Sequence, residues 1–195
     1  MNILYIHGYN GDPYGQSYQN LKNACKDKHE LFTIDYEAND PKDAIKLIRK
    51  FVNENKIDLI IGASLGGFLT MKIFGVSRIV VNPCWDPATE LPKIGYTDDI
   101  ESYKKLLNEL VENIDIEERN LCSGVFSNKD ELLGNKYANV FRQYFKQQYN
   151  IIGRHRISES MAQEIINDIV PLHDEEVKIF CKQLKGIDNA PWLDE

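Results

Sequence analysis

Short apolar runs alternate with amphipathic segments along almost the whole chain. Each apolar run is bounded by polar or turn-forming residues, which is the pattern of buried strands. The pattern predicts six strands, at residues 2–6, 30–35, 59–63, 78–83, 121–126 and 149–153. Strands that alternate with helices are typical of a mostly parallel sheet covered on both faces.

Between these runs, apolar residues recur at helical spacing. The clearest case begins at Asp40-Pro41, a capping residue followed by a proline that the first turn of a helix tolerates. Pro171 interrupts the last amphipathic stretch and predicts a break there. Pro87 and Pro92 predict irregular structure over residues 84–99. The predicted helices cover residues 17–26, 41–52, 67–72, 102–112, 136–147, 160–169 and 174–184.

The segment Gly62-Ala63-Ser64-Leu65-Gly66 lies between the third predicted strand and a predicted helix. Gly-x-Ser-x-Gly in the order strand, turn, helix is typical of a nucleophile elbow, in which a strained turn presents the serine at the carboxyl edge of the sheet. Small residues two positions before and after the serine keep the strand and the helix from clashing. We therefore predict that Ser64 is a nucleophile.

A serine nucleophile requires a histidine base and an acid that orients it, each following a strand at the same edge. His155 directly follows the sixth predicted strand, and Asp130 is the first acid after the fifth. This order, serine then acid then histidine, is the order that accompanies a nucleophile elbow. Two alternatives stay open at this stage: Glu131 as the acid, and His173, which precedes the last helix, as the base.

Two backbone N–H groups are expected to form an oxyanion hole. One belongs to Leu65, which follows the nucleophile, and the other to Tyr9 in the Gly-rich loop after the first strand, with Asn10 as the alternative. We expect His7 to hold that loop by hydrogen bonds. Aromatic side chains near the carboxyl edge are candidates for an apolar substrate site, namely Trp85, Tyr96 and Phe68.

These motifs together resemble the small bacterial esterases of the YqiA type. The resemblance extends in order over nearly the whole chain and rests on segments 5–10, 62–68, 81–83, 129–131 and 153–155. It implies one α/β-hydrolase domain over residues 1–195, a three-layer sandwich without a large cap domain. It also implies hydrolysis of carboxylic esters, with Ser64, Asp130 and His155 as the catalytic triad.

Composition narrows the function further. The formal net charge of −7 argues against nucleic acid and anionic membranes as partners, so we expect a small-molecule ester as the substrate. The amino terminus has neither a basic region nor a long apolar stretch, and the four cysteines are widely spread, which predicts a cytoplasmic protein with reduced thiols. Histidine and cysteine spacing matches no metal site, and we expect no cofactor.

The sequence thus predicts a serine esterase that acts on small or medium acyl chains. A thioesterase or an acyltransferase would share the same acyl-enzyme, because these reactions differ only in the leaving group or the acceptor. A non-catalytic binding module on the same fold is the alternative from a different class.

Overall fold

A computed structural model describes residues 1–188 of the chain, and its centre is a six-stranded parallel sheet. The strands are Asn2–Ile6 (β1), Glu30–Thr33 (β2), Leu59–Ala63 (β3), Ser77–Val81 (β4), Cys122–Ser127 (β5) and Gln147–Ile151 (β6). They are arranged in the order β2-β1-β3-β4-β5-β6. The predicted fold class is therefore confirmed.

Helices connect the strands and cover both faces of the sheet. They are Gln16–Cys25 (α1), Pro41–Glu54 (α2), Leu65–Met71 (α3), Pro87–Glu90 (α4), Glu101–Asn113 (α5), Ile116–Leu121 (α6), Ala138–Tyr144 (α7), Glu159–Glu164 (α8) and Val170–Asp188 (α9). A 3-10 turn, Leu91–Ile94, follows α4, and a π-helical turn, Ile165–Ile169, joins α8 to α9.

The sheet separates two buried apolar clusters, because successive side chains of a strand point to opposite faces. On one face, Ile3 and Tyr5 of β1 belong to a cluster with Leu21 of α1 and Met161 of α8. On the other face, Leu4 and Ile6 belong to a cluster that includes residues from α2, α3, α5 and α7. The result is three layers, with the sheet between two layers of helices.

The strand order reverses at β1, and this reversal positions the site. The chain passes from β1 through α1 to β2 on one side, and then through α2 to β3 on the other side of β1. The loop after β1 and the turn after β3 therefore lie side by side at the carboxyl edge. In open parallel sheets this switch point is where a crevice for ligands forms.

The prediction of a helix break at Pro171 was wrong, because the helical path continues from α8 into α9. A proline cannot donate to the carbonyl four residues earlier and its ring collides with that group in a regular α-helix. The π-helical turn just before Pro171 widens the backbone, and the Val170 N–H donates to the Ile165 carbonyl five residues back. Such a local widening accommodates the proline without ending the helix.

Other elements also differ from the prediction. The helix predicted at 136–147 ends at Tyr144, because Phe145 is fully buried in an extended conformation and β6 begins at Gln147, two residues earlier than predicted. The segment 84–99, predicted to be irregular, contains α4 and the 3-10 turn. Asp86 caps α4 by accepting a hydrogen bond from the Thr89 N–H at 3.2 Å.

His173 lies near the amino ends of β4 and β5, at the opposite edge of the sheet from the turn after β3. Its Nε2 is 2.7 Å from the Ser77 hydroxyl and its Nδ1 is 2.7 Å from the Ser123 hydroxyl, and only 1% of the residue is exposed. Burial, assisted by the nearby Arg78 guanidinium, lowers the pKa of His173 to about 4. The imidazole is therefore a neutral structural group of the core.

None of the helices within residues 1–188 combines the length and the apolar character that crossing a bilayer requires.

We predict that His173 makes the folded state sensitive to mild acid. Between pH 6.5 and 4 the unfolded chain binds a proton at this residue while the folded protein keeps it neutral, so the free energy of unfolding falls as the pH falls. The full contribution is about 3 kcal/mol. Urea unfolding of the wild type and of His173→Gln across this pH range measures it, because glutamine can hydrogen-bond both serines but does not titrate.

The expected result is a distinctly flatter pH dependence in His173→Gln. The partly exposed His29 provides the control. Burial lowers its pKa as well, but less than that of His173, so His29→Gln should keep most of the wild-type slope. Identical slopes in the wild type and His173→Gln would contradict the prediction.

Candidate active site

Ser64 occupies a strained turn between β3 and α3. Its φ of 53° and ψ of −118° lie in a region that residues with a side chain rarely adopt. Three backbone hydrogen bonds fix the turn: the Ser64 N–H donates to the Val81 carbonyl at 3.0 Å, and the Ser64 carbonyl accepts from Phe68 N at 3.2 Å and Cys84 N at 3.0 Å. The strain is thus held in place by β4, by α3 and by the segment that follows β4.

Two glycines make this turn possible. A Cβ on Gly66 would lie 2.2 Å from the His7 carbonyl oxygen and 2.3 Å from that of Ile6, and a Cβ on Gly62 would lie 2.5 Å from the Gly66 carbonyl oxygen. Backbone atoms cannot give way at such distances, so both positions require glycine. The close approach of α3 to the end of β1 depends on them.

Asp130 and His155 form a buried pair at the same edge of the sheet. The Nδ1 of His155 lies 2.9 Å and 3.0 Å from the two carboxylate oxygens of Asp130, and the side chains are 8% and 1% exposed. Asp130 Oδ1 also accepts the N–H groups of Leu132 and Leu133 at 2.9 Å and 3.0 Å. Burial opposes ionisation, but these hydrogen bonds hold the pKa of Asp130 below its usual value.

The neighbouring Glu131 contacts the backbone of His155 and not its ring. Its Oε2 accepts the His155 N–H at 3.1 Å. Of the two acids that the sequence left open, the structure therefore brings Asp130 to the imidazole. An ionised carboxylate at Nδ1 keeps the proton on that nitrogen, which leaves Nε2 of the neutral ring as a proton acceptor.

The segment after β6 reaches back across β5 towards the nucleophile turn. The His155 carbonyl accepts a hydrogen bond at 3.0 Å from the side chain of Asn82, which directly follows β4, the neighbour of β3. Within residues 1–188 the Ser64 hydroxyl and His155 share no hydrogen bond in this conformation. Such contacts in enzymes without substrate are commonly long and shorten when the substrate binds.

The loop after β1 lies directly against Ser64. A Cβ on Gly8 would be 3.6 Å from the Ser64 hydroxyl oxygen, so the backbone of this loop borders the nucleophile. His7 holds the loop: its Nδ1 donates to the Gly8 carbonyl at 2.8 Å and its ring stacks on Tyr36 at 4.6 Å. Tyr9 follows Gly8, and its ring packs edge-on against Tyr96 at 5.6 Å. The expected role of His7 agrees with this geometry.

A cavity of about 290 Å³ opens beside this loop. Residues of the β1 loop form one wall, and residues after β2 form another. Its lining is largely polar and includes three exposed carboxylates. The lining residues are His7, Gly8, Tyr9, Asn10, Gly11, Asp35, Tyr36, Glu37, Ala38, Asn39, Tyr96 and Asp98.

The three aromatic residues predicted to bind substrate lie in different places. Tyr96 borders the cavity, although only 5% of it is exposed. Phe68 is fully buried on α3 and packs against Tyr103, with ring centroids 6.0 Å apart. Trp85 is 5% exposed and stacks on Tyr144 at 5.1 Å. The structure thus places Phe68 and Trp85 in the apolar core and outside the lining of this cavity.

No motif in the sequence indicated a role for Asn82, although its side chain contacts the backbone of His155. An asparagine followed by a proline at the end of a buried strand was visible in the sequence, but this signal is common in ordinary turns. The contact depends on a segment more than seventy residues later, which local sequence cannot reveal.

Solved structures of α/β-hydrolases resemble most of the described fold. The esterase domain of a Rhodothermus marinus protein superimposes with a TM-score of 0.64 and 16% identity, covering 86% of this chain and 83% of that one. Est1E from Butyrivibrio proteoclasticus superimposes with a TM-score of 0.63 and 12% identity, covering 94% of this chain and 88% of that one. Mouse alpha/beta hydrolase domain-containing protein 10 superimposes with a TM-score of 0.62 and 16% identity, covering 89% of this chain and 90% of that one. At these identities the likeness establishes the α/β-hydrolase fold.

Sequence comparison identifies the family. A UPF0227 protein of Serratia proteamaculans is 27% identical, covering 74% of this chain and 84% of that protein. A UPF0227 protein of Pectobacterium atrosepticum is 24% identical, covering 79% and 89%. The family description that matches residues 2–169 is that of the uncharacterised protein family UPF0227. The resemblance to YqiA-type proteins is thereby confirmed, and the chain belongs to the UPF0227 family.

Proposed function

We propose that this protein is a serine hydrolase that cleaves carboxylic esters of small or medium acyl chains through an acyl-enzyme on Ser64. The observation that carries the proposal is the buried Asp130–His155 pair, which shares the carboxyl edge of the sheet with the strained Ser64 turn. A buried carboxylate and imidazole have no structural need for the adjacent strained serine. A serine nucleophile requires all three.

In this mechanism His155 Nε2 removes the hydroxyl proton as Ser64 attacks the ester carbonyl. Asp130 stabilises the imidazolium that forms, because its carboxylate accepts the Nδ1 proton at 2.9 Å and is held ionised by its hydrogen bonds. The imidazolium then protonates the leaving alcohol. Water repeats the sequence on the acyl-enzyme, with His155 first as base and then as acid.

The negative oxygen of the tetrahedral intermediate is assigned to the N–H groups of Leu65 and Tyr9. Leu65 begins α3, whose first N–H groups lack intrahelical acceptors and lie at the positive end of the helix dipole. Tyr9 follows Gly8, whose backbone borders the nucleophile. Donors fixed in this way stabilise the developing charge without reorganising.

The cavity beside the β1 loop is the proposed site for one side of the ester. Its volume of about 290 Å³ suits a small group, and its polar lining gives little apolar surface for a long chain. The carboxylates of Asp35, Glu37 and Asp98 give the lining of the cavity a negative potential. The carboxylates repel anionic substrates and not neutral esters. The charge of the cavity therefore favours an esterase over a thioesterase whose substrates carry phosphate groups on the thiol.

The first prediction concerns the triad. Ser64→Ala should remove nearly all hydrolysis of p-nitrophenyl butyrate, and His155→Ala should lower turnover on the order of a thousandfold, because the hydroxyl loses its base. His173→Gln is the matched control at the opposite edge of the sheet and should keep turnover close to that of the wild type. Unchanged turnover in Ser64→Ala, or a large loss only in His173→Gln, would contradict the assignment.

A second prediction tests the charge of the cavity. The ratio of kcat/KM for p-nitrophenyl butyrate to that for the anionic p-nitrophenyl hemisuccinate should exceed one at low ionic strength and should fall as salt is added, because salt screens the exposed carboxylates. Asp98→Asn should raise kcat/KM for the hemisuccinate about two- to fivefold and leave the butyrate value unchanged.

Glu112→Gln is the control for this charge change, since Glu112 is exposed near the end of α5 and does not line the cavity. An equal effect of Asp98→Asn and Glu112→Gln would show that net charge, and not the cavity wall, sets the preference.

A further inference from the structure

Asn82 has an unusual backbone conformation at the end of β4. Its φ is 44°, in the left-handed region, and only 2% of the residue is exposed. Asparagine tolerates this region better than most residues, but the conformation still costs free energy relative to an extended strand end. A strained, buried polar residue directly beside a candidate active site therefore requires an explanation in terms of its contacts.

The Asn82 amide joins the segments after two other strands. Its Oδ1 accepts the Ser127 N–H at 2.7 Å, and its Nδ2 lies 2.9 Å from the Ser127 hydroxyl oxygen. The same Nδ2 donates to the carbonyls of Arg154 at 3.1 Å and His155 at 3.0 Å. A backbone N–H only donates and a carbonyl only accepts, so these partners fix which amide atom is the nitrogen.

The residues on either side of Asn82 bind the nucleophile turn. The Val81 carbonyl accepts the Ser64 N–H at 3.0 Å, and Cys84 N donates to the Ser64 carbonyl at 3.0 Å. One short segment, residues 81–84, is therefore hydrogen-bonded to Ser64 through its backbone and to His155 through the Asn82 side chain. In the described part of the chain, this segment links the two residues that the proposed mechanism requires to act on each other.

We propose that Asn82 is a positioning residue that sets the His155 backbone relative to Ser64. The inference rests on the proposed function, because it assigns Asn82 to the same acyl transfer. Asp130 orients the ring and Glu131 holds the N–H of His155, while Asn82 holds its carbonyl. Of these three contacts, only the one from Asn82 connects His155 to the segment that is hydrogen-bonded to Ser64. Removing the amide therefore removes this connection.

Two substitutions separate the amide from the backbone conformation. Asn82→Gly removes the side chain and suits the positive φ, so the turn itself is not strained further. Asn82→Asp keeps the size and the acceptor for the Ser127 N–H, but it replaces the donor with an oxygen that faces two carbonyls. Both variants should misplace His155, and misplacement by about 1 Å lowers rates about 100-fold.

The experiment measures the rate of inactivation by a fluorophosphonate and the number of labels per chain, together with kcat and KM for p-nitrophenyl butyrate. In both variants we expect labelling to approach one per chain at a rate about 10- to 100-fold below that of the wild type. KM should change by less than about threefold, because Asn82 does not border the cavity. The labelling rate is measured on the chains that become labelled, so it can still be determined when part of the sample is unfolded.

Asn128→Ala is the matched control. Asn128 also joins the segments after β5 and β6, since its Oδ1 accepts the Gly153 N–H at 3.3 Å, but its side chain makes no hydrogen bond to His155. Its labelling rate should stay within about twofold of the wild type. If Asn82→Gly is too unstable to label, Asn82→Asp decides the question.

The inference is overturned if the variants of Asn82 label at the wild-type rate. This holds in two cases: when labelling reaches one per chain, and when it stops at fewer labels per chain. The second pattern would mean that Asn82 only stabilises the fold. It is also overturned if Asn128→Ala is slowed as much as Asn82→Asp. If the wild-type protein does not label, or if Ser64→Ala labels as fast as the wild type, the proposed function is overturned instead.

Discussion

The turn that carries Ser64 leaves no room for a side chain on the two glycines that flank it. A Cβ on Gly66 would meet the carbonyl oxygens of Ile6 and His7 within 2.3 Å, so the first turn of α3 can touch the end of β1 only as bare backbone. This contact requires β1 and β3 to be neighbours, and they are neighbours because the strand order reverses at β1. The site therefore depends on a steric constraint that also determines how the centre of the sheet packs.

Around this turn the polar groups of the site are shared among the ends of four strands. The ends of β1 and β3 supply the Gly8 loop and Ser64, while β5 and β6 supply Asp130 and His155. The end of β4 supplies no reacting group in the proposed mechanism, and it connects the others through Asn82 and the backbone on either side. Buried polar groups are costly unless they are satisfied, so a network of this kind fixes one arrangement of the loops. Rigid placement of the base and the nucleophile is what acyl transfer needs.

Local patterns were sufficient to predict the sheet and the elbow. The six strands, the glycine spacing around Ser64 and the positions of Asp130 and His155 after their strands all follow from neighbouring residues. The sequence favoured Asp130 as the acid but could not exclude Glu131, because both side chains contact His155 and only the fold determines which one reaches the ring. His173 likewise required the fold, since its burial between two serines at the amino edge involves three distant segments. Phe68 and Trp85 illustrate the same limit, because an aromatic residue near a predicted pocket satisfies the same pattern whether it faces the core or the cavity.

Peptide mapping by mass spectrometry after reaction with a fluorophosphonate shows whether Ser64 is an activated nucleophile. We expect a single phosphonylated site on the peptide that contains residues 62–66, with fragment ions that place the added mass on Ser64. Modification of another residue, or no modification of the folded wild-type protein, would contradict it.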